Sequence, residues 1–295
     1  MKVLVAEYAT AHAPDLAPEG AAMLEVLKNS FTRCGHTVIL PGPGAFDAEI
    51  ERLAPECDMG LVIAPDHLLS RYTMILEQHT HNLGCGAMNV ALAANKVRTT
   101  QILRNHGIPV PADATTGTRV VKPVHGCGAD GVRLSNQGPG DREFAQEYIK
   151  GENFSASLVS SRVIGDACLY FSGNPPLQIA VNRQKIEIDP DGRFRYRGGE
   201  TPVHPSNEHE IFDITAKALA VLGCQGYCGV DVVVADKVYV VDVNPRITTS
   251  IVGIAACMKE EIAQILVDAS LGKPTPPVHL TGKVQFDTSG RTWQV

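Results

Sequence analysis

Asp242, Asn244 and Arg246 stand at alternate positions in VVDVNPRITTS, residues 240–250. The run before them, KVYVVDV, is apolar, and a strand sends residues i, i+2 and i+4 to one face. Pro245 has no N–H to donate and stops the ladder. An acid and an amide oxygen side by side at a strand end suit a hard cation such as Mg²⁺, and an arginine just past them suits a phosphate. The competing reading is a strand that ends in a polar turn. Asp231, in GVDVVV, lies on the preceding run, and a hairpin turning near Asp236 brings it across from Asp242.

GCGADG, with Gly126, Gly128 and Gly131, matches G-x-G-x-x-G letter for letter. A dinucleotide fold needs a helix opening directly after such a loop. Here VRLSNQGPGD follows, and Gly138, Pro139 and Gly140 break any helix over 132–142. The loop reads instead as a hairpin tip whose backbone N–H groups approach a polyphosphate. Lys122, in VVKP, precedes it, and Lys96 opens a helix in AANKVRTTQIL. A lysine inside a buried strand points at an anion or else sits on a sheet edge with its head in water. Two lysines, a glycine flap and three oxygen ligands for Mg²⁺ are what ATP needs.

The elements that must position these groups follow from pattern. MKVLVAEYA, HTVIL and DMGLVIAP read as strands. PEGAAMLEVLKNSFTRCG and SRYTMILEQHT read as helices, so the first 93 residues predict a parallel sheet with helices packed on it. One helix is expected over roughly 89–106, closed by Gly107 and Pro109. TRVVKPV and VRLS are strands flanking the glycine loop. REFAQEYIKGENFSASLVSS predicts a short helix, an extended stretch and a strand. DACLYFS, LQIAVNRQKIEI and RFRYRGG continue an antiparallel pattern. A helix follows in SNEHEIFDITAKALAVLG, then the hairpin, then one last helix in IVGIAACMKEEIAQILVDASLG. From Lys273 onward the chain reads as a Pro-rich, polar tail.

The 295 residues carry a net charge of −6, which gives no electrostatic case for nucleic acid or an anionic membrane. No apolar run approaches the length of a membrane span, and the N-terminus is too acidic for a signal peptide. Eight cysteines scattered through apolar context suggest reduced thiols in a cytoplasmic protein. Cys224 and Cys228 have no second pair of matching spacing, which argues against zinc. His79 and His81, an HxH pair in EQHTHNLG, read as a solvated helix end.

Taken in order, NKVRTTQILRNHGIPVP, VVKPVHGCGADGV, QEYIKGENFS, GVDVVV and VDVNPR resemble the ATP-grasp superfamily of carboxylate–amine ligases over about 85–260. The resemblance implies an α/β protein of the ATP-grasp fold with α+β lobes. A Rossmann-like parallel-sheet domain would span 1–93, a central small lobe 94–150, and a C-terminal lobe with the metal site 151–295. It implies that Lys96 and Lys122 hold phosphates, that Gly126, Gly128 and Gly131 cover them, and that Gln146, Glu147, Tyr148 and Ile149 form the adenine hinge. Glu152 would bind ribose, with Asn153 as the alternative in register. Asp231, Asp242 and Asn244 would hold Mg²⁺ or Mn²⁺. Asp242 stands where many members have Glu, which leaves the number of ions open. Arg246 would steady an acyl phosphate. Many dipeptide ligases carry an arginine two residues before the first metal acid; this chain has Gly229 there. Arg183, in VNRQ, is the candidate replacement, against the alternative of an exposed strand face.

The short frame, the opening MKVLVAEYATA and the pair VNRQ with VDVNPRITTS resemble one branch, the ligases that join glutamate to tyramine in methanofuran biosynthesis. The implied partners are small molecules, an amino-acid carboxylate and an amine, with ATP as co-substrate; a homodimer stays open. Three other readings compete. One is a different small-metabolite ligase of the same superfamily. A nicotinamide oxidoreductase requires the helix that 132–142 argues against. A non-catalytic nucleotide-binding regulator fits a chain that lacks a metal acid or phosphate lysine, and this one lacks neither.

Overall fold

The structure, a computed structural model, describes residues 1–126, 129–161 and 175–295. Gly128 and the expected strand DACLYFS lie outside the described residues. The chain opens with β1 (Lys2–Glu7), α1 (Ala9–His12), α2 (Ala17–Arg33), β2 (Thr37–Ile39), α3 (Phe46–Leu53), β3 (Met59–Ile63), α4 (Asp66–Glu77), β4 (His81–Asn82) and α5 (Ala87–Ala94). These strands form a parallel sheet in the order β2-β1-β3-β4. Strand β1 is an unbroken apolar run because both its faces are covered. Val3 and Val5 pack with Met23, Leu27 and Phe31 of α2, while Leu4 and Ala6 share a core with Ile50 of α3 and Leu69 and Leu76 of α4. Helix α3 was not foreseen, although Phe46, Ile50 and Leu53 repeat at helical spacing and are buried. His81 lies in a short strand rather than at a helix end.

The middle of the chain holds α6 (Lys96–Asn105), β5 (Arg119–Pro123), β6 (Arg133–Ser135) and β7 (Glu143–Glu147), an antiparallel sheet in the order β6-β5-β7. The single helix expected over 89–106 is two. Asn95 leaves helical geometry and its side chain accepts from Arg98 N at 3.0 Å, which caps α6 and sets Lys96 in its first turn. The short helix expected at REFAQEY is strand β7. Its backbone pairs with β5, Val120 opposite Gln146 and Lys122 opposite Phe144, and that pairing overrides local preference.

The rest comprises β8 (Glu152–Ser160), β9 (Leu177–Ile188), β10 (Phe194–Thr201), α7 (Glu208–Leu222), β11 (Gly226–Val234), β12 (Val238–Asn244), α8 (Ser250–Cys257), α9 (Ile262–Ser270), β13 (Val284–Phe286) and β14 (Thr292–Gln294). The strands make an antiparallel sheet in the order β12-β11-β8-β9-β10-β13-β14. Two expectations fail here. The final helix is broken at 258–261 into α8 and α9, and the supposed tail returns to add β13 and β14 beside β10. A cleft opens between this sheet and the three-stranded one.

Candidate active site

The β11–β12 hairpin builds one end of the cleft. Asp231 and Asp242 are direct partners across it, and the register then slips so that Val232 faces Val240. Val241 is the extra residue of this bulge, and bulges re-aim the groups around them. Its carbonyl accepts from Lys122 Nζ at 2.9 Å. Lys96 Nζ lies 2.5 Å from both Asp242 oxygens. Asp231 accepts from Gln184 Nε2 at 3.0 Å and from Asn244 Nδ2 at 3.3 Å. Arg246 donates through Nε to Asp66 Oδ1 at 3.0 Å and through Nη2 to Asn244 Oδ1 at 3.4 Å. Asp66 is only 4% exposed and belongs to the first turn of α4, which follows β3 of the parallel sheet.

Charges this crowded perturb one another. Burial, then the Asp242 charge, push the Asp231 carboxyl up to about 6, against a hydrogen bond from Ser155 and the charges of Lys96 and Arg246. Burial pulls Lys122 down to about 8, partly opposed by Asp242. Burial also acts to lower Lys96, but Asp242, Asp66 and Asp231 outweigh it and the net shift is upward. Among the described residues, no three His, Cys, Asp or Glu side chains converge to hold a metal. Asp231, Asp242 and the Asn244 oxygen do fit Mg²⁺, which commonly takes one or two carboxylates and completes its shell with water and substrate phosphates.

The cleft has a volume of ≈ 330 Å³ and is lined by Lys96, Lys122, Gly126, Gln146, Glu147, Tyr148, Ile149, Asp231, Asp242, Asn244 and Arg246 among the residues singled out from sequence. Three singled-out positions lie off its wall. Gly131 is not a lining residue; it turns the chain at φ +71° beside Pro123. Glu152 and Arg183 pair with each other at 2.6 Å on the exposed side of the sheet, with the Arg183 guanidinium over the Phe154 ring. The reason is strand alternation. Asn153 and Ser155 of β8 and Gln184 of β9 line the cleft, so their neighbours Glu152 and Arg183 face away.

Sequence reasoning missed Glu19, Tyr196 and Thr249, which also line the cleft. Glu19, in the first turn of α2, accepts a short hydrogen bond from Thr249 Oγ1. Burial, then the Glu19 and Asp231 charges, raise Tyr196 well above the ordinary phenol range, against a hydrogen bond with Thr249. The Pro18-Glu19 helix start was visible; that it would reach a site some 230 residues away was not. Gly229 is now explained: a Cβ there would stand 2.6 Å from Thr248 Cγ2, so no arginine fits.

A family profile described as an ATP-grasp domain matches residues 93–250, more than half of the chain. The chain belongs to the ATP-grasp family. Tyramine–L-glutamate ligases of Methanocaldococcus fervens and Methanocaldococcus jannaschii are each 31% identical to it, over 215 and 216 residues. Each match takes in 71% of this chain but only 65% and 62% of those ligases, less than two thirds of their length. An ATP-grasp superfamily protein of Archaeoglobus fulgidus superposes with a TM-score of 0.78 at 25% identity, covering 97% of this chain and 92% of that one. A D-alanine–D-alanine ligase of Bacillus anthracis shares the fold, with a TM-score of 0.64 at 16% identity, over 92% of this chain and 96% of that one. Among the described residues of this ATP-grasp chain, no helix is long and apolar enough to cross a membrane.

Proposed function

We propose that the chain is an ATP-dependent carboxylate–amine ligase that forms ADP and phosphate. The observation that carries this reading is the convergence of Lys96, Lys122 and Arg246 with Asp231, Asp242 and Asn244 at one end of a cleft whose other end is the 146–149 hinge. In this reading 1–93, 94–150 and 151–295 are the three working units. Glu147, Tyr148 and Ile149 offer hydrogen-bonding groups to the adenine edge, whereas the Gln146 amide is already spent on Pro111 O at 3.2 Å. The lysines offset phosphate charge. Asp231, Asp242 and Asn244 would hold Mg²⁺, which when bound would neutralise charge at the phosphoryl group.

The substrate carboxylate attacks the γ-phosphorus of ATP, the bond to the β–γ bridging oxygen breaks, and ADP leaves. Arg246, held by Asp66, steadies the acyl phosphate. The amine then attacks the acyl carbon, phosphate departs with the C–O electrons, and the amine nitrogen loses a proton. Glu19 is the acid placed to receive a substrate ammonium, since it faces the cleft from the N-terminal domain. The finer reading, the glutamate γ-carboxyl joined to tyramine, is supported by the two ligases at 31% identity. The free thiols fit a cytoplasmic setting.

The test is product analysis with glutamate, tyramine, ATP and Mg²⁺. γ-Glutamyltyramine, ADP and phosphate are expected. AMP in place of ADP rejects the acyl-phosphate route. ADP release with other amines but none with tyramine keeps the ligase and removes this substrate. Glu19→Gln should raise the KM for the amino acid or the amine at least tenfold while leaving that for ATP within about twofold.

A further inference from the structure

The turn between β9 and β10 reaches across the mouth of the cleft and joins the central sheet. Leu134 N donates to Gly192 O at 2.8 Å, and Phe194 N donates to Val132 O at 3.0 Å, with Arg133 and Arg193 directly opposite. These bonds form at the residues that follow the glycine loop, Val132 being next to Gly131. The contact is built for close approach. Gly192 sits at φ +81°, and a Cβ on it would stand 2.9 Å from Leu134 O. On the cleft side, Phe194 meets the hinge residue Tyr148 edge-on, ring centroids 6.4 Å apart. The lobe that carries the metal acids is therefore bonded, backbone to backbone, to the lobe that carries the glycine loop.

The joint is short and carries its own opposition. Two backbone hydrogen bonds hold it, and each is modest in net worth. Like charges directly opposite across a strand pair destabilise it. Of the two arginines, Arg133 is paired with Glu143, at 2.5 Å through Nη1 and 2.9 Å through Nη2. Arg193 is exposed; its backbone N–H donates to Asp189 Oδ1 at 2.8 Å, but among the described residues its guanidinium forms no ion pair. We propose that the 189–193 turn is a releasable latch between the two lobes, and that its opening sets the rate at which nucleotide leaves the cleft. The proposal rests on the reading of the cleft as the ATP site. The strand that follows the glycine loop cannot lift from the mouth of the cleft while both bonds stand; deeper in, Lys96 on Asp242, Lys122 on Val241 O and Val240 N on Pro109 O tie the same lobe to the metal hairpin. A latch of two bonds opposed by like charge opens without unfolding either sheet.

The hydrogen-bond pattern makes Arg133 and Arg193 a non-hydrogen-bonded pair, the narrow kind, with a spacing a disulfide can span. The test uses the full chain with Arg133→Cys and Arg193→Cys, in a Cys127→Ser background that removes the thiol in the glycine loop. Release of a fluorescent ATP analogue is followed by stopped flow, with the protein oxidised by diamide and again after reduction. Oxidation should slow release at least tenfold and reduction should restore it. Gly192→Ala, which lifts the turn off Leu134, should speed release roughly fivefold, and Arg193→Glu should slow it. Release equally fast in the oxidised and reduced pair overturns the latch, as does failure of the two cysteines to cross-link. Absence of any binding by the wild-type chain overturns the nucleotide reading instead, so the two failures are separable.

Discussion

Lys122 gives the sharpest quantitative test of the charge arrangement. Its ammonium is buried against the Val241 carbonyl, and burial, opposed only in part by the Asp242 charge, lowers its pKa from 10.5 to about 8. That difference corresponds to about 3 kcal/mol of cost for the charged form. The free protein bears this cost in full below pH 8, where Lys122 is charged both folded and unfolded. Between pH 8 and 10.5 the folded chain sheds the proton first, so the stability of the nucleotide-free protein should rise with pH across that window. A polyphosphate in the cleft supplies the missing counter-charge. If it returns the pKa to 10.5, the site goes from roughly one tenth protonated to nearly full at pH 9, an uptake of roughly 0.9 proton; at pH 7 the uptake is roughly 0.1. Titration calorimetry of a non-hydrolysable ATP analogue, in buffers of differing ionisation enthalpy, reads these numbers directly. Lys122→Met should abolish the pH 9 uptake. Equal uptake at pH 7 and pH 9, or an uptake at pH 9 that survives Lys122→Met, would refute the assignment of Lys122 as the buried cation that phosphate recharges.

Other expected outcomes follow from single contacts. Asp242→Asn should abolish ADP formation and also lower stability by about 3 kcal/mol in denaturant melts, because it leaves the Lys96 ammonium buried beside a neutral amide. Gly229→Ala should cost about 1–3 kcal/mol alone and far less in a Thr248→Ala background, since the clash is with the threonine methyl; a double-mutant cycle reads the coupling. Arg183→Lys should leave substrate KM values within about twofold, whereas Gln184→Ala, which removes a hydrogen bond to Asp231, should lower kcat roughly tenfold; steady-state kinetics separates them.

What the sequence disclosed and what it withheld divide along physical lines. Hairpin pairing of Asp231 with Asp242 was readable because alternation and a tight turn leave one register for two apolar strands. In Asn-Arg-Gln the alternation was equally plain, but a period of two says only that Arg183 and Gln184 face opposite ways, not which way the cleft lies. The bulge at Val241 has no sequence mark, yet it creates the acceptor for Lys122. Strands β13 and β14, three residues each, are too short to show a period, and they exist because β10 offers a free edge. Periodicity runs on through Asn95 from α5 to α6, and only its side-chain cap on Arg98 N marks the break that lets Lys96 open its own helix. Asp66 and Glu19 were beyond reach for another reason. Each lies in a segment whose local pattern is complete without it, and only the docking of the N-terminal sheet brings them to Arg246 and Thr249.

That docking bears on how such proteins can be recombined. The N-terminal domain contributes one carboxylate to Arg246 and another to Thr249, so it forms part of the wall of the cleft. Grafting a different opening segment in place of β1–α5 would remove the carboxylate to which Arg246 Nε donates unless the graft carried an acid at the place of Asp66. It would rewrite part of the cleft wall wherever it changed Glu19. On the proposed reading, a lineage could therefore exchange one acceptor for another by altering the opening stretch of the chain, while Lys96, Lys122 and the 146–149 hinge stay unchanged.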